Sequence, residues 1–489
     1  MIPSDLLLVL ICPVHKGGSR GLPKNYRPVA LTSHLVKVFE RVVRKALVKH
    51  LEENGLLPDG QHGFRALRST LTQLLSYWDL ILDELEQGDG VDVIYTDFSK
   101  AFDKVETGVL LHKLKDCGIS GRVGSWLASF LNSEARKQAV VVDGRISSLS
   151  PVISGVPQGT VLGPVLFLIH ISDIATGLSQ NTTASSFADD TRVKRGIHST
   201  ADCHSLQADL TLVYNWASKV NMHFNGEKFE CMRFWPNPSS SPDFTYLGPD
   251  GEPIEVKESL KDLGVHLSSD LTFRLHIEKV VSAASKMAGW GLRTFRRRSL
   301  VTMRTIWKSL VQPKLDYCSQ FWSPGDQESI NRIESVQRHF ISAVSFLQEM
   351  SYWEKLKKFQ AYSQERRRER YMIIFLWKIS QGLVKGYSLL FTGVLGRRGR
   401  TAVPNAVLMS SSSLVRKARE CSMGVKGARI FNLLPSEIRN IDADNVDQFK
   451  KNLDEFLSQV PDQPTTAGLG RAAETNSLLH QIPMFMLSM

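Results

Sequence analysis

The chain has 489 residues, with 60 lysines and arginines against 49 aspartates and glutamates, a formal charge of +11. An apolar share of 42% with 22% charged residues is globular and excludes a wholly disordered or fibrous chain. No stretch approaches the ~20 apolar residues that cross a bilayer, so no membrane partner is expected, and at ~150 residues per domain the length predicts about three domains.

The opening run from Met1 to Cys12 is apolar but is no signal peptide, because it lacks a basic segment and Pro13-Val14-His15-Lys16 stands where a cleavage site belongs. It reads as a buried strand in a polypeptide that extends upstream. Apolar spacing predicts helices over Val36–Leu51 and Thr70–Leu85, the second ending in Gln87-Gly88-Asp89-Gly90. The β-rich run Val91–Thr96 predicts a strand that delivers Asp97 at its C-terminal end. Helices are predicted over Thr107–Cys117 and Gly121–Leu131, then a hairpin from Gln138–Asp143 through Gly144 to Arg145–Leu149.

Thr160–Ile174 is long, apolar and follows Pro157-Gln158-Gly159, which predicts a buried helix. Leu206, Leu210, Val213, Trp216 and Val220 form another helical stripe. Beyond Phe273 the pattern is almost wholly helical to about Val384. A loop-rich stretch with Arg397-Arg398-Gly399-Arg400 and Ser410–Ser413 follows, then a helix over Val446–Val460. The tail from Pro461 has the composition of a disordered segment. No internal repeat is present.

The charge is uneven. Leu271–Ile430 holds 29 basic and 10 acidic residues, a balance of +19, which leaves −8 for the remainder. Such a split suggests an active domain joined to one that grips a polyanion. Arg296, Arg297 and Arg298, and Arg366, Arg367 and Arg368, are the candidate nucleic-acid contacts, although for either run alone a solvated helix face is the favoured reading and only the excess over the whole segment points to a polyanion. The six cysteines are scattered, with no C-x-x-C pair, which argues against a zinc ribbon and a secreted disulfide framework and favours a reducing setting.

Three carboxylates carry the chemistry. Asp97 ends a strand, and Asp189 and Asp190 occupy the turn of a short β-turn-β pattern. Alone, an Asp-Asp pair is usually a solvated turn. A strand-end aspartate facing a hairpin-tip aspartate, however, can hold two Mg²⁺ ions ~4 Å apart for in-line displacement at phosphorus. Mg²⁺ takes oxygen ligands, often one or two carboxylates plus substrate phosphates.

The pair belongs to an ordered series: Asn25-Tyr-Arg-Pro-Val-Ala-Leu31, Gln61-His-Gly-Phe-Arg65, Asp97-Phe-Ser-Lys-Ala-Phe-Asp103, Ser154-Gly-Val-Pro-Gln-Gly-Thr-Val-Leu-Gly-Pro164, Phe187-Ala-Asp-Asp190 and Asn225-Gly-Glu-Lys228. The series resembles the reverse transcriptases of non-LTR (LINE) retrotransposons, close to the jockey-like group, over about Val14–Val265. Weaker matches reach about Phe456. The resemblance implies an RNA-directed DNA polymerase that extends a DNA 3′-OH primer with dNTPs on an RNA template, using two Mg²⁺ ions (Mn²⁺ as a substitute). An inactive remnant that only binds nucleic acid is the alternative, and an RNA-dependent RNA polymerase is disfavoured. A nuclear and cytoplasmic location is expected.

By the same resemblance, Asp97 and Asp189 are metal ligands and Asp190 is the supporting acid. The main chain of Phe98 lies by the metal and the incoming triphosphate. Phe102 is the aromatic gate against a 2′-OH, or else a core residue. Gln158 touches nucleotide and template, with Gly155 and Gly159 allowing close approach. Arg27 grips the triphosphate, and Lys228 protonates the pyrophosphate leaving group. Lys16 and Arg65 are phosphate or template contacts, or equally a solvated strand end and a structural ion pair. Lys100 belongs to the same motif, in which Asp103 fixes a local turn.

Two departures stand out: the polar run Thr182–Ser186 before Asp189, and His170 where an apolar residue is usual. The implied architecture is an α/β (α+β) right-hand polymerase fold followed by a mostly helical extension. Fingers and palm are expected over 1–269, a basic helical thumb over 270–385, a C-terminal extension over 386–460 and a disordered tail over 461–489. The resemblance further implies a longer parent protein bearing an endonuclease domain that is not recognised in this sequence.

Overall fold

The computed structural model describes residues 8–88, 90–132, 136–237, 240–389, 412–464 and 476–487. It divides into two compact units. One comprises Met1–Arg65, Asp92–Cys231 and Pro242–Val256; the other comprises Ala66–Val91, Met232–Ser241 and Lys257–Met489.

In chain order the elements that build the first unit begin with β1 (Leu8–His15), β2 (Tyr26–Leu31) and α1 (His34–Glu53). Helix α2 (Thr70–Glu86) belongs to the second unit. Next come β3 (Gly90–Thr96), α3 (Thr107–Asp116), α4 (Gly121–Leu131), β4 (Lys137–Val142), β5 (Arg145–Ile146), β6 (Ser150–Pro151) and α5 (Gly163–Ile171). Then follow β7 (Thr182–Phe187), β8 (Asp190–Ile197), α6 (Thr200–Lys219), β9 (Glu230–Phe234), which the division cuts after Cys231, and β10 (Glu255–Val256). The predicted elements are found, except that α5 starts three residues later and ends three earlier than expected and β5 is cut to Arg145–Ile146; β2, β6, β9 and β10 have no predicted counterpart. Residues 157–160 are a turn closed by Thr160, whose hydroxyl donates to the Pro157 carbonyl at 2.9 Å, and the helix begins only after it.

Two sheets organise this unit. One has the order β2-β1-β4-β5, with β6 paired to β4; β1 runs antiparallel to β2 and parallel to β4. The expected buried strand at the start is thus largely half-exposed, with only Val9 fully inside. The other sheet has the order β10-β9-β3-β8-β7. Its middle strand β3 is buried along nearly its whole length. A strand covered on both faces reads as continuous apolar sequence rather than as an alternation. Its one buried acid, Asp92, accepts a hydrogen bond from the Tyr246 hydroxyl at 2.8 Å. Helix α3 packs on α5, and α6 on β8. Every residue of α5 except Pro164 is buried, so it is apolar all round rather than amphipathic.

Strand β7 explains the first sequence departure. It lies at the sheet's edge, not in its centre, so Ser185 and Ala184 are half-exposed and a polar Thr182–Ser186 run is admissible. The second departure, His170, is fully buried in α5, and burial pushes its imidazole down to about 4, so it packs as a neutral ring.

The second unit is mostly helical, as expected for the C-terminal part. A hairpin of β11 (Ser259–Asp262) and β12 (Val265–Ser268) precedes α7 (Arg274–Thr294), α8 (Leu300–Ile306), α9 (Gln312–Asp316), α10 (Gln327–Ser342), α11 (Tyr352–Phe359) and α12 (Gln364–Ser380). The remaining helices are α13 (Ser413–Cys421), α14 (Ala428–Asn432), α15 (Ser436–Arg439), α16 (Val446–Gln459) and α17 (Leu478–Leu487). Helix α2 joins this unit because its face is aromatic and apolar: Trp78 lies against Phe234, Phe273 and Phe321 at centroid distances of 5.8, 5.4 and 5.8 Å. Its acids Asp79, Asp83 and Glu86 surround Arg419 of α13.

The tail departs from the expected disorder where it is described. Asp462 accepts from the Ser363 amide at 2.8 Å and from Asn476 at 2.8 Å, and Leu478 and Ile482 of α17 are buried. Arg397, Arg398 and Arg400 of the predicted loop-rich stretch lie outside the described residues, as do residues 465–475 of the tail.

Candidate active site

Asp97 follows the last residue of β3, so the buried strand fixes its Cα. The next residues are pinned to a second segment. The Asn225 amide donates to the Asp97 carbonyl and the Ser99 amide to the His223 carbonyl, each at 2.9 Å. Phe98 stacks on Phe224 with ring centroids 4.4 Å apart. The same segment supplies Lys228, whose Nζ donates to Asp97 Oδ2 at 2.5 Å.

Asp189 lies in the two-residue turn between β7 and β8, whose last pair is Phe187 with Asp190. Ala188 takes φ 59°, the left-handed region that a two-residue hairpin favours at its first central position. Thr96 Oγ1 donates to the Thr191 carbonyl at 3.0 Å and ties the end of β3 to the start of β8. Asp97 and Asp189 thus end neighbouring strands on one side of one sheet. Burial, and after it repulsion from Asp97, pushes the Asp189 carboxyl above its usual range, while Arg27 and Lys16 pull it back. All four groups therefore act on one volume. Asp190 begins β8 and is exposed.

A second wall comes from residues 154–160. Gly155 donates its amide to the Val105 carbonyl at 2.8 Å, and Val156 to the Phe102 carbonyl at 2.9 Å. At Gly155 φ is +88°, and a Cβ would stand 2.9 Å from Asp103 Cα and the Phe102 carbonyl, so only glycine fits. Gly159 likewise meets the Ala30 carbonyl, 2.7 Å from where a Cβ would be. Gln158 donates Nε2 to Asp103 Oδ1 at 3.3 Å, and its carbonyl accepts the Ala30 amide at 2.6 Å. Asp103, pushed up by burial and eased by Gln158, Lys100 and Lys16, thus orients Gln158 besides shaping its own turn. Phe102 stacks on Phe167 at 4.4 Å and meets Phe64 edge-on at 6.0 Å, yet stays half-exposed.

The two carboxylates fit a divalent cation. The Asp189 carboxyl, pushed up by burial and by the Asp97 charge beside it, is eased by a cation placed between the two. The Lys228 ammonium on Asp97 stands where positive charge is wanted. Among the described residues, no cluster of three or more metal-ligating side chains forms a closed cage. Mg²⁺ needs none, because substrate oxygens and water complete its shell.

Three of the predicted contacts are corrected, and for Arg65 the alternative, a structural ion pair, is the arrangement found. Arg65 is committed elsewhere: Nε and Nη2 donate to Glu52 at 2.9 and 2.7 Å, and Nη1 to the Pro58 carbonyl at 2.7 Å. Arg366 is fully buried and donates to the carbonyls of Leu457, Val460 and Pro461. Arg367 pairs with Asp316 at 2.7 Å, and Arg368 lies 3.7 Å above the Trp322 ring and is buried. These arginines hold helices together rather than face a polyanion. Arg296 and Arg297 are exposed, and Arg298 is half-exposed with Nη2 on the Leu292 carbonyl.

Two buried polar side chains went unassigned in the sequence. Glu40 of α1 accepts the amides of Val161 and Leu162 at 2.7 and 2.8 Å, just before α5, and so anchors the 154–160 wall. Gln61 contacts the Ala188 turn. Glu40 is masked by its place in an amphipathic helix. Gln61 stands inside one of the ordered motifs, which is the signal that points to it.

Residues 14–267 match the family model described as reverse transcriptase (RNA-dependent DNA polymerase). Among curated proteins, the chain is 31% identical over 345 residues to the probable RNA-directed DNA polymerase from transposon X-element of Drosophila melanogaster. It is 30% identical over 346 residues to the RNA-directed DNA polymerase from mobile element jockey of the same organism. Each match covers 68% of this chain but only 37% of the relative. A structure of telomerase from Candida Tropicalis, in complex with a TWJ fragment of telomeric RNA, aligns with 92% of this chain and 65% of its own. Its identity is 12% and its TM-score 0.43. With its motif series matched from end to end, the chain belongs to the reverse transcriptase family and resembles the polymerases of jockey-like, non-LTR elements.

Proposed function

We propose that the chain is the polymerase portion of a retrotransposon protein, extending a DNA 3′-OH primer on an RNA template with dNTPs. The observation that carries this is the convergence of Asp97 and Asp189, from distant parts of the sequence, onto one sheet edge within electrostatic reach of Arg27 and Lys16. When bound there, Mg²⁺ (or Mn²⁺) neutralises charge on the attacking and leaving oxygens of the displacement.

The protein's own groups do the rest by positioning. Asp97 and Asp189 hold the cation, and Asp190 adds charge at the same turn. Arg27 offers a guanidinium fork to the triphosphate, with Lys16 as a further phosphate ligand. The main-chain amide of Phe98 lies next to Asp97 and is directed to the triphosphate. Gln158, oriented by Asp103, faces the base pair, and Phe102 limits room at the sugar. Lys228 is the donor for the leaving pyrophosphate. The second unit's exposed Arg296 and Arg297, with the half-exposed Arg298, meet nucleic-acid backbone, a recognition by charge and shape rather than base sequence.

The test is primer extension on poly(rA)/oligo(dT) with the wild-type protein and Asp189→Asn. Mg²⁺-dependent extension lost in the variant is expected. Equal activity in both sinks the assignment, and tight RNA binding with no extension selects the inactive-remnant reading.

A further inference from the structure

The turn that carries Asp189 is held from outside its own hairpin. Gln61 is 4% exposed, in the segment that joins α1 to α2. Its Oε1 accepts the Ala188 amide at 2.9 Å, and its Nε2 donates to the Ala188 carbonyl at 3.2 Å. One side-chain amide thereby satisfies both backbone groups of the left-handed residue that immediately precedes Asp189. The Oε1 atom also accepts the Gly63 amide at 2.9 Å, which fixes the rotamer.

The surrounding backbone reinforces this. The His62 amide donates to the Ser186 carbonyl and the Ser186 amide to the Gly60 carbonyl, each at 2.9 Å, so the segment bridges to the edge strand β7 at Ser186 alone. A Cβ on Gly60 would stand 2.6 Å from the Ala184 carbonyl, and one on Gly63 2.3 Å from the Ala188 amide. Both glycines therefore exist to let Gln61 reach the turn. A non-glycine residue at φ 59° persists only where its surroundings over-determine it.

We infer that Gln61 is the positioning residue of the Asp189 turn, setting the carboxylate where it meets a divalent cation together with Asp97. The inference rests on the proposed function for its catalytic consequence, but not for its structural one. Mg²⁺ demands near-ideal octahedral geometry, so a ligand displaced by a fraction of an ångström weakens binding and slows the chemical step without touching the groups that bind the nucleotide.

The experiment compares wild type with Gln61→Met, which keeps volume and removes both hydrogen-bonding ends. Three measurements are made: amide exchange of the peptide spanning residues 185–191, Mn²⁺ affinity of the purified chain by EPR, and steady-state extension. The expected result is faster exchange confined to this peptide and Mn²⁺ binding weakened by about tenfold. The kcat for extension should fall roughly 10²-fold while KM for dNTP is unchanged. Unchanged exchange and unchanged Mn²⁺ affinity overturn the inference. If wild type fails to extend primers at all, the proposed function falls, and exchange and Mn²⁺ affinity still decide the role of Gln61. If Gln61→Met does not fold, Gln61→Glu replaces it, since it keeps the acceptor for the Ala188 amide and loses the donor. An intermediate loss of Mn²⁺ affinity supports the inference, and wild-type affinity overturns it.

Discussion

Lys228 and Asp97 form an ion pair across 2.5 Å, with the lysine side chain 62% exposed and the carboxylate 24% exposed. The proposed proton donor for pyrophosphate and a proposed metal ligand thus touch each other. In the proposed mechanism the pairing makes the lysine a competitor for the carboxylate as well as a donor.

Lys228→Met separates these roles. Removing the ammonium should lower the Mg²⁺ concentration that half-saturates primer extension, because Asp97 no longer has a competing cation. The same change should lower kcat by roughly 10²-fold, the usual scale for a missing general acid. A Mg²⁺ titration of extension rates checks both. A half-saturating concentration that rises instead would show that the ammonium does not compete with the metal.

Phe102 supports two roles at once. Its stack on Phe167 makes it part of the packing over α5, while its half-exposed edge leaves it facing the site. Phe102→Val should therefore cost about 1–3 kcal/mol of stability, because the smaller side chain cannot fill the space over the Phe167 ring. It should also raise rNTP incorporation relative to dNTP by tenfold or more, read in single-nucleotide extensions. A destabilised variant with unchanged sugar discrimination would reduce Phe102 to a core residue.

The parts of the site that are legible in sequence are those that depend on neighbouring residues. Asp97 follows a β-rich run, and Asp189-Asp190 sits between two strand patterns, so chain position alone places both. Charge counting misplaces the arginines because it cannot see burial. Asp316, which holds Arg367, and the carbonyls of Leu457, Val460 and Pro461, which hold Arg366, lie far along the chain. The polarity of Thr182–Ser186 is anomalous only for a central strand, and β7 is not one. Edge position is a property of the sheet order, which local sequence does not encode. Grouping α2 with the C-terminal unit likewise depends on Trp78 meeting Phe273 and Phe321.

The arginine correction has a direct test. Arg366→Met removes the donor to the buried carbonyls of Leu457 and Val460 and to that of Pro461, which should cost about 1–3 kcal/mol per buried group left unpaired and lower the thermal midpoint clearly. The folded fraction should bind an RNA–DNA hybrid as wild type does. Arg296→Ala with Arg297→Ala should leave the midpoint almost unchanged. The double variant should flatten the dependence of log affinity on log salt by about 0.9 for each phosphate it no longer neutralises. Binding measured across a salt series, alongside melting curves, separates the two sets. A flattened salt slope in Arg366→Met would restore that residue to the interface.

His170 supplies a pH signature independent of catalysis. Among the described residues neither ring nitrogen has a hydrogen-bond partner. Burial is the main cause of its depressed basicity, nearby Lys113 adds to it, and Asp173 opposes it, leaving the imidazole at about 4 against an ordinary 6.5. Between those values the unfolded chain binds a proton that the folded chain refuses. Stability therefore rises with pH through this window, is complete above about 6.5, and is lost as pH falls toward 4. The full effect at the acid end is on the order of 3 kcal/mol. His170→Leu keeps a buried side chain of similar reach with nothing to protonate. The difference in melting temperature between variant and wild type should be small at pH 7.5 and should grow in favour of the variant from pH 6.5 down to 4.5. Taking the difference at each pH cancels the carboxylates common to both proteins. A difference that stays flat across this range would show that the imidazole titrates equally in folded and unfolded chains.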